Sequence, residues 1–183
     1  MAQNFTTWCE VEKNPLETSY HDQRWAMPIT DKQELFALLM LECQQAGLSW
    51  AVVLKKEQAL AQAFLAWDPQ ALAQMSDAYI EELKDNPEII RHTGKIIAMR
   101  SNAQAFLRLE QQGIDFSHWL WSHDLDAQTL SKQLKKWGFK FVGPTTAQAY
   151  LEAVGKINPH HPQCPCYARV EQAQQPVKAK YQA

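Results

Sequence analysis

The sequence predicts an all-helical domain. Three observations carry that prediction. Apolar residues recur at helical spacing along most of the chain, capping residues precede several of these runs, and no stretch alternates apolar with polar residues as a half-buried strand would. At 183 residues the chain is long enough for one domain with a substantial core, expected over residues 1–183.

The elements follow in order. Asp31 with Glu34 resembles a capping box and opens a long helix running to about Ala46, where Gly47 interrupts it. A second helix spans about Ser49 to Ala66. Asp68-Pro69 starts a short one ending near Met75, with Pro69 suited to a first turn. Ser76 or Asp77 caps the next, which ends near Lys84. After the turn Asp85-Asn86-Pro87, residues Glu88–His92 read as a short helix, Thr93-Gly94 as a tight hairpin, and Lys95 as the start of a long helix to about Gln111. Ile114–Asp126 reads as a short helix plus loop, Ala127–Trp137 as a helix stopped by Gly138, and Gly143-Pro144 as the opening of a last core helix ending at Gly155. The polar stretch from about 170 to 183 is expected to fray.

Composition narrows the function. No apolar run approaches the ~18 residues of a membrane span, and no export signal is visible, so a cytoplasmic protein without a membrane partner is expected. Four cysteines then suit metal ligation or free thiols better than disulfides. With a net charge of −2, any contact to nucleic acid falls to a local basic surface. Two clusters qualify, Arg91/His92/Lys95/Arg100 and Lys132/Lys135/Lys136/Lys140, although either alone reads as a solvated helix face.

Each end of the chain carries one cysteine and one histidine, Cys9 and His21, then His160 and Cys164. Together they have the composition of a closed structural zinc site that would bolt the termini together. By chemistry alone, His161 or Cys166 could replace a C-terminal ligand. Glu42 lies seven residues after Leu35, four after Leu38 and three after Leu39, on the apolar stripe of its helix. A buried carboxylate needs a partner or a task, and spacing alone does not choose between them. Gly47 allows Trp50 to fold back over Glu42, and Tyr20 and Trp25 flank His21. Three aromatic rings and one carboxylate suit a flat, cationic ligand, whereas each ring taken singly reads as core packing. In Pro87–Ile96, a glycine-containing turn beside a helix N-terminus, with Arg91 and Lys95 nearby, suits phosphate.

Taken together these segments resemble the 3-methyladenine DNA glycosylase I family of the helix-hairpin-helix DNA glycosylase superfamily. The carriers are Tyr20-His21-Asp22-x-x-Trp25, Leu41-Glu42-x-Gln44-Gln45-Ala46-Gly47-Leu48-Ser49-Trp50, Ile89-Ile90-Arg91-His92-x-Gly94-Lys95-Ile96, Gly138-Phe139-Lys140-Phe141-Val142-Gly143 and His160-x-x-x-Cys164. They run in family order from Cys9 to Tyr167. The resemblance implies the helix-hairpin-helix glycosylase fold with a zinc site joining the N- and C-terminal segments. It also implies monofunctional hydrolysis of the N-glycosidic bond of 3-methyladenine in alkylated double-stranded DNA by base flipping. An abasic site and free 3-methyladenine would result, with the protein acting as a monomer. By the same resemblance Glu42 is the catalytic residue, and Tyr20, Trp25, Glu42 and Trp50 hold the base. Arg91, Thr93, Gly94 and Lys95 meet DNA, and Cys9, His21, His160 and Cys164 hold one structural zinc ion.

The sequence departs from the family pattern at Val11, where a tryptophan is usual, and at Ala26, Cys43 and Glu88. Trp8 is a candidate substitute for the missing ring, and Glu88 weakens one side of the phosphate cradle. Two competing readings follow. One is a non-catalytic damaged-DNA-binding module of the same fold. The other, a zinc hydrolase with Glu42 as base, is disfavoured because four ligands leave no open metal position.

Overall fold

A computed structural model describes residues 8–181, so residues 1–7 and 182–183 of the expected domain lie outside the described part. The described residues contain ten α-helices and no strand: α1 Pro15–Gln23, α2 Lys32–Gln45, α3 Trp50–Ala63, α4 Pro69–Ala73, α5 Asp77–Asp85, α6 Thr93–Gln111, α7 Phe116–Ser122, α8 Ala127–Lys136, α9 Pro144–Ala153 and α10 Pro165–Tyr181.

Helix α2 is the axis. Asp31 caps it by accepting from the N–H groups of Gln33 and Glu34, and it packs against α3, α6, α7 and α9. Surrounded in this way, it buries eight consecutive-turn residues, including Leu35, Phe36, Leu39, Met40 and Glu42. A helix enclosed on nearly every side has few places to put a polar group, so any it carries there is conspicuous. Buried Tyr150 of α9 donates to the Leu35 carbonyl at 2.9 Å, and Trp121 and Ser117 of α7 donate to the carbonyls of Ile29 and Thr30 just before α2.

Four features differ from the sequence expectation. Helix α1 is present, with a reciprocal capping box between Asn14 and Glu17 and Pro15 in its first turn. The helix expected over Ser49–Ala66 stops at Ala63, because Leu65, Ala66 and Trp67 all take positive φ. Residues 86–92 form a turn rather than a helix. Asn86 accepts from the Glu88 N–H, and Lys56 of α3 takes the carbonyls of Pro87 and Glu88 at 2.9 and 3.0 Å, so these groups are spent outside any helical ladder. His92 then caps α6 by accepting from the Lys95 N–H, which puts Thr93 and Gly94 inside its first turn. The expected frayed tail is helix α10, which buries Val170 and Gln174 against the body, contacts α7, and donates from Gln174 to the Gly155 carbonyl at 2.8 Å.

Gly155 closes the fold where α9 meets the segment after α1. Its φ is 75°, and a Cβ there would stand 2.4 Å from the Ala26 carbonyl oxygen and 2.7 Å from the Pro28 nitrogen, both backbone atoms that cannot swing aside. Gly155→Ala is expected to destabilise the protein by about 3 kcal/mol or more, seen as a large drop in denaturation midpoint.

Candidate active site and metal centre

Two sites share the N-terminal segment. The first is a cavity of about 240 Å³ walled by Trp8, Tyr20, Trp25 and Trp50, with Glu42 and Glu152 also lining it. It is smaller than the ~300–1,000 Å³ of pockets for drug-sized ligands and suits one flat heterocycle. The structure thus brings together all four residues singled out for base contact, from α1, the turn after it, α2 and α3. Gly47, at φ 79°, turns the chain between α2 and α3 and lets Trp50 come back against Tyr20, with ring centroids 5.0 Å apart. Arg24 fixes that approach. Its guanidinium lies 5.1 Å from the Tyr20 ring centroid and forms a two-point pair with Glu57 of α3 at 3.0 and 2.6 Å.

Trp8 contributes one ring to the cavity wall. It packs edge-on to Trp25 at 4.8 Å and tilted to Tyr20 at 6.0 Å, while Val11 is exposed. Glu152 was not anticipated. It reaches the cavity from α9, one helical turn beyond Ala149.

Glu42 is buried, and no hydrogen bond to its carboxylate is seen among the described residues. Burial, and then the charge of Glu152, push its pKa up to about 8. Burial also raises Glu152, whose carboxylate accepts from Gln148 at 2.8 Å. Burial, followed by the negative charge of Glu42, pushes the Tyr20 phenol up as well.

The second site gathers Cys9, His21, His160 and Cys164, whose ligand atoms all lie within 4.8 Å of one another. The sulfur-to-nitrogen distances are 3.4 Å for Cys9–His21, 3.5 Å for Cys9–His160, 3.6 Å for Cys164–His160 and 4.0 Å for Cys164–His21. A tetrahedral ion with ordinary metal–sulfur and metal–nitrogen bonds has sulfur-to-nitrogen edges of about 3.5 Å, so the set fits a metal ion. Outer contacts aim both imidazoles. His21 Nδ1 pairs with Asp22 at 2.7 Å and His160 Nε2 with the Trp25 carbonyl at 3.4 Å, which leaves the other nitrogen of each ring for the cluster. The hydrogen bond to His21 holds the Asp22 carboxyl below its usual range. Of the alternates, His161 gives only its backbone N–H to Cys9 Sγ, and Cys166 turns toward Asp22. The cluster touches the pocket directly, since the His160 ring packs edge-on against Trp25 at 4.8 Å and the His21 ring lies 5.5 Å from Trp8.

The basic residues divide. Arg91 and Thr93 are exposed and Gly94 is half-buried at the start of α6. Lys95 departs from its expected place beside a phosphate. It is buried, and its ammonium donates to the carbonyls of Gln44 and Ala46 at 2.7 and 2.6 Å, because the N-terminus of α6 abuts the C-terminus of α2 and offers its lysine to the unpaired carbonyls there. Arg100 is taken up by Asp77 and the Met75 carbonyl, whereas Lys132, Lys135, Lys136 and Lys140 are exposed.

A family model described as methyladenine glycosylase matches residues 8–129 and 123–167. The chain is 40% identical over 176 residues to DNA-3-methyladenine glycosylase 1 of Escherichia coli K12, covering 86% of this chain and 94% of that protein. A crystal structure of a 3-methyladenine DNA glycosylase I superposes with a TM-score of 0.82 at 40% identity, over 86% of this chain and 97% of the other. A structure of 3-methyladenine DNA glycosylase I from Staphylococcus aureus, described as giving the basis of 3-methyladenine recognition, superposes with a TM-score of 0.80 at 39% identity over 85% and 93% of the two chains.

The raised Glu42 carboxyl has a sign for stability. Between its ordinary value near 4.5 and its folded value near 8, the folded protein holds a proton that the unfolded chain has lost, so this group's contribution is complete at low pH and falls as pH rises toward 8. Glu42→Gln removes that slope. Relative to wild type, the variant is expected to gain about 4 kcal/mol in unfolding free energy between about pH 5 and pH 8.5, measured by denaturant titration at each pH.

Proposed function

Because this chain belongs to the methyladenine glycosylase family, we propose that the aromatic cavity with Glu42 is where it receives the damaged base. The chain is a DNA-3-methyladenine glycosylase, a hydrolase of base-excision repair. Its substrate base must leave the stack to be cut. A purine methylated at a ring nitrogen carries positive charge while still attached to its sugar. Ring faces attract that charge, each desolvated contact contributing roughly 1–2 kcal/mol that a neutral adenine forgoes. The observation that carries the assignment is Glu42, a buried carboxylate facing an aromatic cavity with no hydrogen-bonding partner among the described residues.

Glu42 accepts hydrogen bonds from the amino edge of the base, and Trp50 and Tyr20 stack on its ring. Against a neutral base the carboxyl keeps its proton near neutral pH, and against a cationic base it ionises. The pocket therefore matches its own charge to the damage. When the C1′–N bond breaks, its electron pair stays on the base and neutralises it. The sugar cation is captured by water, which loses a proton. Little chemical assistance is needed for so good a leaving group, so positioning and charge selection dominate.

The Cys/His cluster holds a structural zinc ion, through Cys9, His21, His160 and Cys164. The composition and closed four-ligand geometry support this reading. Through Trp8 and Trp25 the site fixes the pocket wall. The exposed start of α6, with Arg91, Thr93 and Gly94, takes DNA phosphate in a helix-hairpin-helix manner, while Lys95 braces the hairpin from within. The chain works as one domain and a monomer on double-stranded DNA in the cytoplasm. Among the described residues no helix is long and apolar enough to cross a membrane.

Chromatography of bases released from alkylated DNA tests the activity. Wild type is expected to release 3-methyladenine, and Glu42→Ala and Trp50→Ala are each expected to lower kcat/KM about 10–100-fold. Undiminished excision in both variants would contradict the site. Wild-type kcat/KM is expected to rise with pH up to about 8 as Glu42 ionises, a rise absent in Glu42→Gln. Metal analysis is expected to give about one zinc per chain, and Cys164→Ser or chelation to lower the melting temperature. A metal-free, chelator-insensitive protein would overturn the zinc assignment.

A further inference from the structure

The base cavity carries a second carboxylate for which the reading above has no use. Glu152 lines it from α9, half-buried, and no cation stands against it among the described residues. Its carboxylate is not free to wander, because Gln148, one turn earlier on the same helix, donates to it at 2.8 Å. Gln148 thus holds the group in place without neutralising it. Glu42 approaches the same cavity from α2. A surface carboxylate would sit in water at no cost. Keeping two of them in a cavity with four aromatic rings is costly unless the cavity receives positive charge.

We propose that Glu152 is a specificity-determining residue of the base pocket: a second carboxylate, oriented by Gln148, that acts with Glu42 to select a heterocycle carrying positive charge. This rests on the assignment of the cavity as the base site. The two groups work in opposition when the pocket is empty, since each makes the other's ionisation harder, and together when a cation enters between them. The other titratable group on the pocket is Tyr20 of α1, whose phenol burial keeps protonated, and the nearby guanidinium of Arg24 is occupied by Glu57. Among the described residues no fixed positive charge lines the pocket to do the work a cationic base would do.

The test uses two small ligands that differ in one methyl group and one charge, the 3,9-dimethyladeninium cation and neutral 9-methyladenine, in which the N9-methyl stands for the sugar. Binding to the whole protein is followed by tryptophan fluorescence at about pH 8.5, above the value near 8 at which Glu42 gives up its proton. Wild type is expected to prefer the cation. In Glu152→Gln that preference is expected to shrink roughly tenfold, the size of one charge contact in a half-buried site, with affinity for the neutral ligand changed less than about twofold. Gln148→Ala, which frees the carboxylate without removing it, is expected to shrink the preference by a smaller factor and serves if Glu152→Gln does not fold. An unchanged preference, or an equal loss of affinity for both ligands, would overturn the proposal, the second outcome marking Glu152 as merely structural. The two readings fail separately. Wild type that excises 3-methyladenine while Glu152→Gln keeps its preference sinks only this proposal. Wild type that prefers the cation but releases no base sinks only the activity.

Discussion

A carboxylate held inside an apolar helix face, with no hydrogen-bonding partner among the described residues, constrains everything around it. Glu42 sits on α2, which is packed against four other helices, so water cannot reach it from behind. It faces the aromatic cavity. Such a group is costly to ionise, and the structure accepts that cost rather than supplying an arginine or backbone donor. The cavity walls must therefore stay in place around an uncompensated group, and most of the unusual features of the fold serve that end. Gly47 turns Trp50 back, the Arg24–Glu57 pair locks α1 to α3, and Lys95 ties the start of α6 to the end of α2.

The Cys/His cluster belongs to the same logic. It joins residues near position 9 to residues near position 164, and its imidazoles lie against Trp25 and Trp8, two of the four rings of the pocket. An N-terminal segment of one short 3-10 turn and one nine-residue helix has little core of its own. A metal held there would supply by coordination what hydrophobic burial does not, ordering the pocket wall rather than taking part in the chemistry.

Much of this was legible in the sequence because it depends on local spacing. The position of Glu42 on its helix stripe, the glycine before Trp50 and the Cys/His set are all visible as intervals, and Trp8, the expected candidate for an extra ring, does line the cavity. Helix α1 was overlooked although Asn14-Pro15-x-Glu17 is a capping signal; its weakly amphipathic run hid it. The inward turn of Lys95 and the arrival of Glu152 were not readable. Both depend on which helix packs on α2 and at what angle, and a lysine after a glycine or a glutamate near a helix end reads as solvated in either case. The C-terminal helix was obscured by its polar composition, since only Val170 and Gln174 among its later residues are buried.

Glu42 is held protonated near neutral pH and releases that proton to solvent when a cationic base enters the pocket. Infrared difference spectroscopy, wild type minus Glu42→Gln, observes this group directly. The account predicts a protonated carboxyl band that titrates near pH 8 and disappears when a cationic adenine enters the pocket. A carboxyl already ionised above about pH 6, or a band indifferent to the cation, would contradict it.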